Sequence, residues 1–226
     1  MLNDMTKTSN TAIIVAAGSG SRLASEIPKQ YLKLKGVEIL AYSVRSFLAH
    51  PEIDEVIIVT SANYLEHASN QYPECKVVVG GEPRQDSVFN GLQACSPHTH
   101  IVLVHDAARP LIPSRVIDLC LSSLEKHDGV APALKPADSM IQLEDSGFRN
   151  LQRDNLRMIQ TPQCFHIGIL RTAHASGKID TDEMGLVKQS NPQASLGFIE
   201  GAPETLKVTK QIDLEIIEKY LDAADN

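Results

Sequence analysis

The chain has 226 residues, 42% of them hydrophobic and 22% charged, enough for one large domain around a packed core. A formal charge of −7 supplies no general basic field for nucleic acid, and 4% aromatics without tryptophan supply few stacking platforms for single strands. Any polyphosphate partner must therefore be held by a few placed cations.

Residues 1–10 are polar and read as a frayed N-terminus without the apolar core of a signal peptide. No apolar run approaches the ~20 residues of a membrane span. The four cysteines, Cys75, Cys95, Cys120 and Cys164, have no CxxC or metal-knuckle spacing and read as free thiols. A soluble, cytoplasmic protein is expected.

From residue 11 the hydropathy pattern alternates. "TAIIVAA" reads as a buried strand, "ILAYSVRSFLAH" as a helix, "DEVIIVTS" as a strand and "YLEHASNQY" as a short helix. "CKVVVGG", "DSVFNGLQAC", "HIVLVHD" and "PSRVIDLCLSSLEKH" repeat strand, helix, strand, helix. Unbroken Val/Ile runs indicate strands covered on both faces. The expected fold is α/β, a doubly wound, mostly parallel, Rossmann-like sheet. After about residue 134 the pattern changes, and "SMIQLEDSGFRNLQR" reads as a polar hairpin turning at Glu144-Asp145-Ser146-Gly147. Residues 136–160 are expected to form a projecting arm of a single 11–226 domain. Two helices follow in "IGILRTAHASG" and "TDEMGLVKQSN", strands in "ASLGFIEG" and "TLKVT", and a last helix from Gln211 to Leu221.

Four stretches carry chemistry. "AAGSGSR" ends the first strand in Gly18 and Gly20, a turn able to hold backbone amides open for an anion. It lacks the third glycine of a dinucleotide fingerprint and the Gly-Lys-Ser/Thr of a Walker loop, so by itself it is a weak signal that a plain tight turn explains as well. Arg22 and Lys29 at seven-residue spacing are a fork and a point charge suited to a triphosphate. "GGEPRQDS" is a second glycine turn at a strand end, with Ser87 expected to cap the next helix. Ligands of open α/β sheets lie beyond such carboxyl ends, where a base can rest against the backbone of Ala16, Ala17 and Gly81. "VHDAARP" puts Asp106 at the same edge, a place for Mg²⁺ or a ribose hydroxyl. "TDE" reads plainly as an N-cap Thr181 followed by two acids on a helix dipole, and Lys207 in "KVT" as a surface lysine.

In combination and in this order, "AAGxGxR…PKQY", "GGxxRxDSV", "VHDAARP", "TPQ", "TDE" and "KVT" resemble the 2-C-methyl-D-erythritol 4-phosphate cytidylyltransferases from about Thr11 to Leu221. The resemblance implies transfer of the cytidylyl group of CTP to methylerythritol 4-phosphate in the non-mevalonate isoprenoid pathway, with release of pyrophosphate. It implies a Mg²⁺ requirement, with Asp106 in the metal and substrate region, and a homodimer whose arms cross into the neighbouring site. Arg22 and Lys29 would stabilise the transition state on the CTP phosphates. Ala16, Ala17, Gly18, Gly20, Gly81, Glu82, Ser87 and Asp106 would line the nucleotide. Asp106, Arg109, Ser139, Arg153, Thr161, Thr181 and Lys207 would face the sugar phosphate, Arg153 and Lys207 positioning its attacking phosphate.

The sequence departs from the family pattern at Val15 (often proline), Ser21 (often basic), Glu82 (often aspartate) and Ser139 (threonine). None of these removes a charge assigned to catalysis. At this length, no fused cyclase domain is expected. The nearest rival is a ribitol 5-phosphate cytidylyltransferase. An NAD-dependent oxidoreductase is disfavoured by the missing glycine, and an inert nucleotide-binding module by the four cations Arg22, Lys29, Arg153 and Lys207.

Overall fold

The computed structural model describes residues 9–18 and 27–224. Strand β1 (Ser9–Ala16) is the apolar run read from the sequence. After a 3₁₀ turn at Lys29–Tyr31 comes a small hairpin of β2 (Lys33–Leu34) and β3 (Val37–Glu38). Its two-residue turn places Lys35 at φ 48° and Gly36 at φ 80°, the left-handed pair that a tight hairpin turn requires. The alternation continues through α1 (Ile39–Leu48), β4 (Glu55–Thr60), α2 (Leu65–Gln71), β5 (Lys76–Val79), α3 (Arg84–Ala94), β6 (Thr99–Asp106) and α4 (Ser114–Ser123).

The next strand, β7 (Gly129–Leu134), escapes the hydropathy reading because Pro132 interrupts it. Strands β8 (Ile141–Glu144) and β9 (Gly147–Asn150) form a two-stranded sheet of their own, the expected hairpin. Strands β10 (Met158–Ile159) and β11 (Gln163–His166) return antiparallel along one side of β7. They pair with its two ends, so Pro132 falls in the gap between them and its missing N–H interrupts no ladder bond. Helices α5 (Ile167–Ala175) and α6 (Glu183–Ser190), strand β12 (Leu196–Glu200) and helix α7 (Gln211–Ala224) complete the chain.

The main sheet has eight strands in the order β10-β7-β11-β6-β1-β4-β5, with β12 on the outer side of β7. All but β10 and β11 run in one direction. Ile14 and Ile58 pack beneath Leu40, Val44, Phe47 and Ile117 on one face; Ile13, Ile57 and Val104 pack beneath Val88, Leu92, Leu170 and Val187 on the other. The doubly wound α/β expectation therefore holds, with two antiparallel strands along the inner side of β7.

The segment "TLKVT" is not a strand. Its alternation does put Val208 inward, against Leu34, Ile39 and Ile217 under α7, and Lys207 outward. It crosses the carboxyl ends of the sheet without joining it, tied there by Val208 N–H donating to Ala108 O at 2.8 Å.

Candidate functional site

The carboxyl ends of β1 and β6 open into a cavity of about 290 Å³, lined by Val15, Ala17, Gly18, Lys29, Gln30, Gly81, Glu82, Arg84, Ser87, Asp106, Ala107, Ala108 and Lys207. A second, smaller cavity of about 170 Å³ adjoins it, and Arg84, Asp106 and Lys207 line both. The rest of its wall is Arg109, Ile159, Thr161, Gln163, Thr181 and Asp182. The two cavities thus share one wall made of charged side chains.

That wall centres on Asp106. Its Oδ1 accepts from Arg84 Nε at 3.1 Å and its Oδ2 from Lys207 Nζ at 2.8 Å, while Arg109 Nε stands 3.8 Å away. Burial pushes this carboxyl up, but Arg84, Lys207 and Arg109 together overcome that and hold it well below the usual carboxylate range. Arg84 continues the chain of charges: its Nη1 donates to both oxygens of Glu183, at 2.9 and 2.8 Å. Burial disfavours the Arg84 charge, and Glu183 and Asp106 more than offset it, so the guanidinium sits above its ordinary value. For Glu183, burial lifts the carboxyl against the pull of Arg84.

The backbone of Asp106 is fixed from beneath. His105 is fully buried, and burial lowers its pKa to about 4, so it is neutral. Its Nε2 faces Arg109 O at 3.0 Å and donates to it; Nδ1 is then an acceptor for the Thr161 hydroxyl, also at 3.0 Å. The same hydroxyl oxygen accepts from Asp106 N–H at 3.2 Å. Gln163 in turn accepts from Met184 N–H at 3.0 Å, tying β11 to the start of α6.

On the glycine-turn side, the Gln30 amide donates to the carbonyls of Ala16 and Gly18. Lys29 Nζ donates to Val208 O at 2.9 Å, which joins this segment to the strip carrying Lys207. Gly81 is required by close approach: a Cβ there would lie 2.2 Å from Cβ of Asp86.

Most residues singled out in the sequence converge here. Ala17, Gly18, Lys29, Gly81, Glu82, Ser87, Asp106 and Lys207 line the first cavity, and Arg109, Thr161 and Thr181 join Asp106 and Lys207 around the second. Ala16 contributes its carbonyl to Gln30. Gly20, Ser21 and Arg22 lie outside the described residues. Ser139 and Arg153 are exposed on the arm and line neither cavity; Arg153 Nη1 donates to Ala137 O at 2.7 Å.

Two capping expectations are corrected. Helix α3 starts at Arg84 behind Pro83, so Ser87 lies one turn inside it and donates to Gly81 O at 3.1 Å. The cap of α6 is Asp182, whose carboxylate accepts from Gly185 N–H at 2.8 Å, and Thr181 stands beside the second cavity instead.

The reading by motif missed Arg84, Glu183 and Gln30. A signal for Arg84 emerges once α3 is seen to start there: the dipole disfavours a cation at the first helical position, so a partner elsewhere is implied. Glu183 occupies the same position of α6, where an acid is favourable, so it read as one of two acids on the helix dipole and nothing more.

A profile of the 2-C-methyl-D-erythritol 4-phosphate cytidylyltransferase family matches residues 10–223. An enzyme of that name from Clostridium botulinum (strain 657 / Type Ba4) is 35% identical, over 94% of this chain and 97% of its own. One from Thermobifida fusca (strain YX) is also 35% identical, over 93% of this chain and 92% of its own. Among solved structures, a 4-diphosphocytidyl-2C-methyl-D-erythritol synthase of Anaerococcus prevotii DSM 20548 superposes with a TM-score of 0.86 at 26% identity, covering 95% of this chain and 96% of that one. The 2-C-methyl-D-erythritol 4-phosphate cytidylyltransferase of Thermus thermophilus gives 0.78 at 26% identity, over 93% and 98%.

Proposed function

Because the chain belongs to the 2-C-methyl-D-erythritol 4-phosphate cytidylyltransferase family, we infer that it transfers the cytidylyl group of CTP to 2-C-methyl-D-erythritol 4-phosphate in the non-mevalonate isoprenoid pathway. The observation that carries this reading onto the chain's own residues is the pair of adjoining cavities with a shared wall of Arg84, Asp106 and Lys207. CTP takes the first, its base and ribose against Ala16, Ala17, Gly18, Gly81, Glu82 and Ser87. The sugar phosphate takes the second, beside Arg109, Thr161 and Thr181.

An oxygen of the incoming phosphate monoester attacks the α-phosphorus of CTP in line. The bond from that phosphorus to the bridging oxygen breaks, and pyrophosphate leaves. Two polyanions must approach, so the dominant cost is charge repulsion. Lys29, with Arg22, offsets charge on the triphosphate, and Lys207 moves from Asp106 to a phosphate oxygen. No covalent enzyme intermediate is required, and an ionised phosphate needs no base.

Mg²⁺ belongs to this reading as a companion of the triphosphate. A resident ion does not suit Asp106: both its oxygens accept hydrogen bonds from cations and a third cation lies within 3.8 Å. Among the described residues no three His, Cys, Asp or Glu side chains cluster to hold a metal. The enzyme is read as a homodimer with exchanged arms, because Ser139 and Arg153 are assigned to the acceptor yet lie on an exposed arm outside both cavities of their own chain. A cytoplasmic location agrees with four free cysteines and with the finding that no helix among the described residues is long and apolar enough to cross a membrane.

The test is pyrophosphate release with CTP, UTP, ATP or GTP, and methylerythritol 4-phosphate or ribitol 5-phosphate as acceptor. A pocket that hydrogen-bonds the cytosine amine leaves polar groups unpaired against UTP, so CTP is favoured by at least about 10²-fold in kcat/KM. Equal use of UTP or ATP overturns the cytidylyl assignment. Preference for ribitol 5-phosphate moves the enzyme to the rival acceptor.

A further inference from the structure

Glu183 has no part in the reaction as described, yet its side chain is buried beside it, 1% exposed. It lines neither cavity. Among the described residues its charged partner in hydrogen-bonding range is Arg84, whose Nη1 it takes with both oxygens. Arg84 lines both cavities and turns its Nε to Oδ1 of Asp106. The charges therefore alternate from core to solvent: Glu183, Arg84, Asp106, Lys207.

Nothing in helix formation asks for this arrangement. A cation at the first position of α3 opposes the helix dipole, and a buried ion pair is a weak source of stability compared with apolar packing. The pair does fix orientation. With Nη1 held by Glu183, the planar guanidinium has little freedom to rotate, and Nε stays aimed at Asp106. The two ends of the chain of charges also differ in freedom, since the side chain of Glu183 is 2% exposed and that of Lys207 41%.

We propose that Glu183 is a positioning residue: it clamps Arg84 so that Asp106 stays fixed on the wall between the cavities when Lys207 leaves Oδ2 for a substrate phosphate. Asp106 then keeps one charged hydrogen bond throughout the cycle, and Lys207 has a fixed place to return to. The proposal rests on the cytidylyltransferase reading, which supplies the phosphate that draws Lys207 away.

The experiment is a double-mutant cycle on kcat with Glu183→Gln, Arg84→Lys and the two combined, run beside wild type in the pyrophosphate-release assay. Glutamine keeps the shape of Glu183 and removes its charge. Lysine keeps the charge of Arg84 but cannot serve two carboxylates in fixed directions. Each single variant should lose about 10-fold or more in kcat, as misplacement of a reacting pair does, with the CTP dissociation constant of Glu183→Gln within about 2-fold of wild type. The combined variant should lose little more than either alone, because both break the same clamp. Glu183→Asp should recover part of the loss, since it restores the charge at a shorter reach.

A Glu183→Gln enzyme with wild-type kcat overturns the proposal. So do losses that multiply in the combined variant, which would mean that Glu183 acts independently of Arg84. So does a fall in kcat matched by the fall in folded fraction. If Glu183→Gln does not fold, the cycle is run with Glu183→Asp and Arg84→Lys, and the same non-additivity is required. A wild type inactive with CTP and methylerythritol 4-phosphate removes the parent reading itself, a result distinct from an active wild type with an indifferent Glu183.

Discussion

Two parts of this chain carry residues assigned to one reaction, and they are built in opposite ways. At the carboxyl ends of β1 and β6, Asp106, Arg84, Glu183 and Lys207 hold one another, and His105 and Thr161 hold the backbone beneath. On the arm, every residue from 137 to 150 is exposed, including Leu143 at 78% and Phe148 at 63%, which face each other across β8 and β9. A side chain in the first region has its geometry set by its own fold. One in the second, such as Ser139 or Arg153, has little around it to set its geometry unless another surface arrives. On the proposed reading, the first region is a preorganised half-site, and the arm is one that a second chain would complete.

The sharpest way to break this contrast is at Lys29. If it offsets charge at the preorganised end, Lys29→Ala should lower kcat by on the order of 10²–10³, the scale for losing a placed donor. The fold should persist, because Lys29 lines the first cavity and the bond it gives the Val208 carbonyl is worth about 1 kcal/mol. Turnover at saturating CTP and a melting curve measure both. A kcat near wild type would remove Lys29 from the reaction.

A second experiment asks whether the halves come from different chains. Lys29→Ala damages the first half-site and Arg153→Ala the arm. In a mixed dimer with exchanged arms, one site collects both lesions and the other neither. Random refolding of equal amounts makes half the dimers mixed, with half of their sites intact, so about a quarter of wild-type activity should return by this symmetry argument. Each variant refolded alone should stay at its own low level. A mixture giving only the average of the two would place Arg153 at work within its own chain.

The third prediction concerns how deeply the preorganised half is rooted. His105 has its pKa lowered from 6.5 to about 4 by burial. Between those values the unfolded chain binds a proton that the folded chain refuses, so stability is full above about pH 6.5, falls as pH drops toward 4, and levels off below. The contribution is roughly 3 kcal/mol across that window. Urea unfolding at pH 7 and pH 4.5 should show His105→Gln losing much of the wild-type pH slope. An unchanged slope in His105→Gln would mean that the imidazole is not held neutral.

The same contrast explains what the sequence disclosed. The buried strands and their helices were readable because continuous Val/Ile runs and helical spacing report burial directly, as in Ile13-Ile14 of β1 or Val116-Ile117 and Cys120-Leu121 of α4. The hairpin was readable from its turn residues, although its strands bury nothing. Strand β7 was not readable, since Pro132 argues against a central strand until its position between β10 and β11 is known. "TLKVT" misled for the reverse reason: it alternates like a strand but bonds to the backbone of Ala108 without entering the sheet. In the site, glycines and isolated cations signalled themselves by type. Arg84 and Glu183 are 99 residues apart, and only the folded sheet brings their charges together.

The smallest effect expected is also the most direct comparison of the two regions. Leu103 in β6 is fully buried, and Leu103→Ala removes a methyl-rich side chain from a packed core, a loss of about 2–5 kcal/mol. Leu143 on the arm is 78% exposed, so Leu143→Ala should change the unfolding free energy of the single chain by no more than about 0.5 kcal/mol. Urea midpoints in dilute samples measure both. At higher concentration, sedimentation of the Leu143 variant should show weaker self-association, because Leu143 and Phe148 are the most exposed large apolar side chains of the arm and can bury surface against a second copy. If Leu143→Ala instead costs as much as Leu103→Ala in the dilute sample, the arm is packed against its own chain. The division into a preorganised half-site and an arm awaiting a partner would then be wrong.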